Sequence, residues 1–218
     1  MSWNTVLFDL DGTLTDPKVG ITTAVARALA AFGIRREPDE LTDFIGPPLE
    51  ESFMGGYGMT AEQAAEAVRE YRAYYNVTGW LENVPYEGIA AFLAALKERG
   101  KMLLVATSKP EALARRILEH FELADYFSLI CGAHPERGPS KKADVVAEAL
   151  ARSGAEKGCA VMVGDRKHDV IGARENGIPC VGVLYGYGSR EELESAGAAA
   201  VAADLNELLA LLCRNDGE

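Results

Sequence analysis

The chain has 218 residues, 48% of them hydrophobic and 25% charged, the usage of an ordinary globular protein able to bury a sizeable core. This excludes a disordered tail and a disulfide-stapled miniature scaffold. With 22 basic against 33 acidic residues the net charge is -11, which argues against a surface built for nucleic-acid phosphates or anionic lipid. The four cysteines, Cys131, Cys159, Cys180 and Cys213, show neither C-x-x-C nor Cys/His zinc spacing and are expected to be reduced and structural. No charged region followed by a long apolar one opens the chain, so no secretory signal is expected. The alanine-rich stretch 196–203 stops at Asp204, short of the roughly 18 apolar residues of a membrane span. A cytoplasmic protein without a membrane partner is expected, in which the sequon Asn76-Val77-Thr78 has no meaning.

Residues 4–9, Asn-Thr-Val-Leu-Phe-Asp, form a short apolar run that reads as a buried strand ending in a carboxylate, with Gly12 just beyond it. From residue 16 to about 83 the patterns are helical, with no convincing strand. Val19, Val25, Ala26, Leu29 and Phe32 mark one helix, and Gly46-Pro47-Pro48 and Gly55-Gly56 punctuate a shorter piece. Thr60-Ala-Glu-Gln63 is a capping box opening a helix that carries Ala64, Ala67, Val68 and Tyr71; Tyr71, Tyr74 and Tyr75 are expected to pack there. Ile89, Phe92, Leu93 and Leu96 recur at helical spacing up to Gly100. The runs 102–106, 128–131, 159–163 and 180–183 are continuous in apolar residues, as strands covered on both faces are. Between them, Val145, Val146 and Leu150 mark one helix, and Val170, Ile171 and Ala173 another that ends at Gly177. This alternation predicts an α/β fold: a Rossmann-like, open, mostly parallel sheet with helices on both faces. Residues 1–15 and 84–218 are expected to form that core domain. Residues 16–83 are expected to form a small all-helical domain covering the C-terminal edge of the sheet.

Ligands of open α/β sheets bind outside the carboxyl ends of the strands. Those ends carry Asp9-Leu10-Asp11-Gly12-Thr13, Thr107-Ser108-Lys109-Pro110, the pair Lys141-Lys142 in the segment after 128–131, and Gly164-Asp165-Arg166-Lys167-His168-Asp169. Two carboxylates at i and i+2 share one face of a strand. At a strand end followed by glycine, both carboxylates, or one carboxylate and a backbone carbonyl, can face a common point. With Asp165 they form an all-oxygen set suited to a hard cation such as Mg2+. Singly, each aspartate reads more readily as a turn or helix cap; three at strand ends read as a metal site. A phosphoryl group beside Asp9 needs a cation to offset the repulsion. Helix spacing into Ala143-Asp144-Val145 favours Lys142 for this; Lys141 reads as a solvated helix-start residue, and Lys109 as either a rim charge or a second contact. Thr107 and the Ser108 N–H are candidate donors to a phosphate oxygen, Thr107 being alternatively a local turn contact. Arg166, Lys167 and His168 either reach substrate or face solvent, His168 favouring solvent. His120 reads as a helix residue near the core and His134 as a loop residue, neither catalytic.

The segments Asp9-Leu-Asp-Gly-Thr-Leu-Thr-Asp16, Val105-Ala-Thr-Ser-Lys-Pro110, Ser140-Lys-Lys-Ala-Asp-Val145 and Gly164-Asp-Arg-Lys-His-Asp169, in this order, closely resemble the four motifs of the haloacid dehalogenase superfamily. Within it the chain is similar to the phosphoglycolate-phosphatase-like group, with a helical cap after the first motif and Phe44-Ile-Gly-Pro-Pro-Leu49 inside that cap. The resemblance implies a Mg2+-dependent phosphatase acting on a small phosphorylated substrate: phosphoglycolate, a nucleotide or a sugar phosphate. It implies that Asp9 is the nucleophile and that Asp11 is the acid that protonates the leaving oxygen and then activates water. It further implies that Thr107, with Ser108 and Lys109, binds the phosphoryl group and that Lys142 steadies both Asp9 and phosphate. Metal would be held by Asp9, the Asp11 carbonyl and Asp165, with Asp169 supporting it or the lysine; Gly46 of the cap is a candidate substrate contact, beside Phe44, Leu49 and Glu50. Asp11 also separates the chain from the dehalogenase branch, which lacks that second aspartate. Many relatives read Thr-Asn-Lys and Lys-Pro where this chain has Thr-Ser-Lys and Lys-Lys. A phosphomutase would share every core residue, and a catalytically silent binding protein would keep the fold. No G-x-x-x-x-G-K-[ST] or G-x-S-x-G occurs, and Gly186-Tyr-Gly188 lacks the third glycine of a dinucleotide fingerprint.

Overall fold

A computed structural model of the protein describes residues 3–134 and 141–214; Ser140 of the third motif lies outside them. Two compact units emerge, one of Asp16–Val84 and one of the remainder of the chain.

The second unit is built on a fully buried strand, β1 (Thr5–Phe8). The short strands β2 (Thr15–Asp16) and β3 (Val84–Pro85) pair with each other. Then follow β4 (Met102–Pro110), β5 (Leu129–Ala133), β6 (Ala160–Gly164), β7 (Cys180–Val183) and β8 (Ala200–Ala202). The main sheet has the order β5-β4-β1-β6-β7-β8, and every pairing in it is parallel. Because β1 lies between β4 and β6, the strand order reverses there, which places the crevice for a ligand at its carboxyl end. Register sharpens this: Phe8 lies opposite both Val105 and Val163, so Asp9 emerges level with Ala106 of β4 and with Gly164, the last residue of β6. The Asp9 N–H donates to the Val163 carbonyl at 2.9 Å.

Alternation along the strands divides the core. Leu7, Leu104, Ala106 and Met162 pack with Val145, Val146 and Leu150 of one helix and with Val170 and Ala173 of another. Phe8, on the opposite face, meets Phe92 edge to face at 6.1 Å. The helices of this unit are Ile89–Glu98, Glu111–His120, Lys142–Ser153, Lys167–Glu175, Arg190–Ala196 and Leu205–Leu212.

The first unit contains helices Lys18–Ala31, Leu49–Tyr57 and Ala61–Tyr75, with 3-10 turns at Pro38–Phe44 and Gly79–Glu82. The capping box forms: Thr60 accepts from the Gln63 N–H and the Gln63 side chain accepts from the Thr60 N–H. Tyr71 and Tyr75 are buried and stack at 5.2 Å. Gly20 is obligatory here, since a Cβ would stand 2.0 Å from the Gly79 carbonyl oxygen.

Several expectations are corrected. The main sheet has six strands and not five, because Ala200–Ala202 pairs with β7; alanine is a poor strand former and gave no strand signal. Asp204, which closes that alanine stretch, caps the next helix by accepting from the Asn206 and Glu207 N–H groups. The runs 128–131 and 159–163 shift to Leu129–Ala133 and Ala160–Gly164. His120 is exposed at the end of its helix, edge-on to Phe121. Among the described residues no helix is long and apolar enough to cross a membrane.

Candidate active site

Four chain segments meet beyond β1, β4 and β6. Asp9 is buried, and its Oδ1 accepts from the Leu10 N–H at 2.8 Å and pairs with Lys142 Nζ at 2.8 Å. Lys142 also reaches Asp169 Oδ1 at 2.8 Å and donates to the Ala106 carbonyl at 3.2 Å. Of the two candidate lysines, Lys142 is the buried one at the site; Lys141 is exposed, its backbone N–H donating to Asp144 Oδ2 at 2.9 Å. Helix periodicity explains the difference, since adjacent residues point about 100° apart. Burial works against the charge on Lys142, yet Asp169 and Asp9 outweigh it and its pKa rises.

Asp165 and Asp169 are fully buried. One carboxylate oxygen each from Asp9, Asp165 and Asp169 lies within 4.8 Å of the other two. Burial pushes the Asp165 carboxyl well up, and the charge of Asp169 adds to this. For Asp169 burial raises the pKa to about 6 against the pull of Lys142. Asp169 also caps its helix, Oδ2 accepting from the Arg166 N–H at 3.0 Å. Three buried carboxylates therefore share one ammonium group, and among the described residues no cation pairs with Asp165. The donors are all oxygen and the set carries excess negative charge, so the residues fit a hard divalent cation.

The Asp11 carboxylate does not join that triad: it is held by Lys109 Nζ at 2.7 Å from both Oδ1 and Oδ2. Lys109 is buried, so it is no rim charge. Burial raises the Asp11 pKa while Lys109 opposes it. Thr107 is buried, and its Oγ1 accepts from the Lys109 N–H at 3.2 Å. That turn contact uses the oxygen as acceptor and leaves the hydroxyl proton available, so the two readings of Thr107 coexist. Ser108 is half-buried beside it. Among residues expected in solvent, His168 is half-buried, with burial and Lys167 lowering its pKa. Gly46 and Phe44 belong to the helical unit; Gly46 has φ 104, and Phe44 is buried against Phe53 at 4.9 Å.

Sequence reasoning missed the groups that support Asp165 and Arg166. Tyr187 N–H donates to Asp165 Oδ2 at 2.8 Å, Thr13 Oγ1 to Asp165 Oδ1 at 3.4 Å, and Arg166 Nε to Glu192 Oε1 at 3.0 Å. The only signal in the chain was the close pair of glycines at 186 and 188. Glycine also lets two of the functional side chains in: a Cβ at Gly164 would stand 2.2 Å from Asp169 Cγ, and one at Gly172 would stand 2.8 Å from Lys142 Cγ.

The family model described as haloacid dehalogenase-like hydrolase matches residues 6–183, well over half of the chain and all four segments of the site. The chain belongs to this family. A 5'-nucleotidase of Pseudomonas aeruginosa is 45% identical over 209 residues, spanning 95% of this chain and 94% of that protein. Tyrosine-protein kinase PtkA of Mycobacterium tuberculosis is 43% identical over 207 residues, spanning 93% of this chain and 70% of that one. The crystal structure of a predicted phosphatase from Clostridium acetobutylicum superimposes with a TM-score of 0.95 at 44% identity, covering 98% of this chain and 100% of the other. The buried acidic edge is thus that of a hydrolase of the haloacid dehalogenase-like family.

Proposed function

We propose that this hydrolase is a Mg2+-dependent phosphatase that cleaves the phosphate monoester of a small metabolite through a phosphoaspartate on Asp9. The observation that carries the reading is the triad Asp9, Asp165 and Asp169, buried and within 4.8 Å, with Lys142 bridging two of its members. An anionic substrate enters such a pocket only when cations offset its charge. Asp9, the Asp11 carbonyl oxygen and Asp165 would hold Mg2+, with Asp169 in support. The cation supplies charge neutralisation of the phosphoryl oxygens.

The chain's own residues do the rest. Oδ1 of Asp9 is engaged by Leu10 N–H and Lys142, which leaves Oδ2 to attack phosphorus while the bond to the leaving oxygen breaks. Asp11 gives its proton to that oxygen; burial favours the protonated form it needs at this step. The resulting carboxylate takes a proton from water as the water attacks phosphorus, releasing phosphate and restoring Asp9. The Thr107 hydroxyl and Ser108 N–H donate to phosphoryl oxygens, and Lys142 and Lys109 hold the developing charge. The helical unit, with Gly46 in its Gly-Pro-Pro turn, acts as the cap that selects the ester. None of the four cysteines is in a disulfide, which fits a cytoplasmic enzyme.

The relative named a 5'-nucleotidase, matched over 95% of this chain, puts nucleoside 5'-monophosphates first among substrates to try, ahead of phosphoglycolate and sugar phosphates. The same residues would pass the phosphoryl group to an acceptor hydroxyl instead of water. A phosphomutase does so, and the relative named a tyrosine-protein kinase makes such transfer the second reading. Phosphate release from a panel of phosphorylated metabolites with Mg2+ present decides between them. Net release that stops with a chelator and with Asp9→Asn is expected; transfer to a second substrate without net release would favour the second reading. Wild-type turnover by Asp9→Asn would overturn both.

A further inference from the structure

Beyond β7 the chain runs through Leu184-Tyr185-Gly186-Tyr187-Gly188 before the helix Arg190–Ala196. This segment closes on Asp165. The Tyr187 N–H donates to Oδ2 at 2.8 Å, while from the turn after β1 the Thr13 hydroxyl donates to Oδ1 at 3.4 Å. A Cβ at Gly186 would stand 2.3 Å from the Gly12 carbonyl oxygen and 2.4 Å from Asp165 Cβ. A Cβ at Gly188 would stand 1.9 Å from the Asp165 carbonyl oxygen, and one at Gly12 would stand 2.3 Å from Asp165 Oδ2. No side chain fits in such spaces. Gly186 and Gly188 are absent from the positions with positive φ, so room beside Asp165, and not backbone freedom, is what requires glycine there. Tyr185 ties the segment down by donating its hydroxyl to the Thr13 carbonyl at 3.1 Å and packing on Tyr86 at 4.9 Å.

Glycines that resemble part of a dinucleotide fingerprint thus admit a carboxylate of the chain itself. We propose that Gly186-Tyr187-Gly188, with Thr13, is a positioning clamp that aims the Asp165 carboxylate at the divalent cation, so that it governs metal affinity and not affinity for the phosphate ester. The inference rests on the metal reading proposed above. Each oxygen of Asp165 receives one neutral donor, so its direction is fixed without an ion pair. Partners that orient a metal ligand are worth about 10–100-fold in metal affinity.

The test is calorimetric titration of Mg2+ into the full chain, with no turnover required, for wild type, Asp165→Asn, Gly186→Ala and Thr13→Val. Gly186→Ala is expected to weaken Mg2+ binding by about 10–100-fold, and the near-isosteric Thr13→Val to weaken it less but measurably. At saturating Mg2+ the KM of both variants for the phosphate ester returns to the wild-type value. Wild-type Mg2+ binding by Asp165→Asn would remove the metal reading itself. Loss of binding in Asp165→Asn alongside wild-type Mg2+ affinity in Gly186→Ala and Thr13→Val would leave that reading standing and overturn the clamp. If Gly186→Ala fails to fold, Thr13→Val decides by the same criterion.

Discussion

Among the described residues of the sheet unit, two places bring three metal-ligating side chains within 4.8 Å of one another: Asp9, Asp165 and Asp169, and Glu111, Cys131 and Glu148. Proximity alone does not separate them. In the second, Arg152 Nη1 already bridges the carboxylates, at 2.9 Å from Glu111 and 3.0 Å from Glu148, and burial pushes the Cys131 thiol up to about 11. Arg115 also stands 3.8 Å from Glu111, so two arginines face two carboxylates while the sulfur stays protonated, and the cluster serves as a partly exposed ion-pair network. In the first, three carboxylates share Lys142, and Asp165 is met only by neutral donors. A metal-competent site is marked by buried charge left unbalanced, and only one of the two clusters has it.

The largest effect that can break this comparison is on chemistry. Replacing Asp11 by Asn should lower turnover by about 10^2–10^4-fold, the range for loss of a general acid, whereas Glu111→Gln should leave steady-state kinetics within about twofold. A comparable loss in both would mean that the second cluster takes part. Stability comes next. Lys142→Met strands two buried carboxylates and should cost about 3–5 kcal/mol in denaturant unfolding with chelator present. Arg152→Ala, at a side chain 38% exposed, should cost no more than about 1 kcal/mol. Equal costs would erase the distinction in burial.

The smallest effect is a pH dependence. Since the native thiol of Cys131 titrates near 11 against an ordinary 9.0, the native state binds more protons than the unfolded one between those values. Its contribution to stability is therefore full below pH 9 and is lost as pH rises toward 11. Thermal midpoints should fall across that window, and less steeply in Cys131→Ala; identical slopes would exclude the thiol as a source.

Much of this was legible in the chain. The strands β1, β4, β6 and β7 announced themselves as continuous apolar runs, because a strand buried on both faces has no polar face to show. The aspartates at their ends were legible only as a set, since each alone reads as a turn or helix cap. The strand Ala200–Ala202 was not, since one valine between alanines is too short a run to carry a period, and its place at the sheet edge comes from pairing with β7. Lys109 read equally well as a rim charge because its burial depends on Asp11, 98 residues away.

What the amino-acid sequence determined by itself is the kind of fold and the cast of charged groups, since both reside in residues contiguous along the chain. The tertiary structure decided how those groups divide. It gave Lys142 to Asp9 and Asp169, gave Lys109 to Asp11, and brought Thr13 to Asp165 from 152 residues away. A carboxylate's burial and its share of the available cations are set by neighbours remote in sequence, and only folding supplies them.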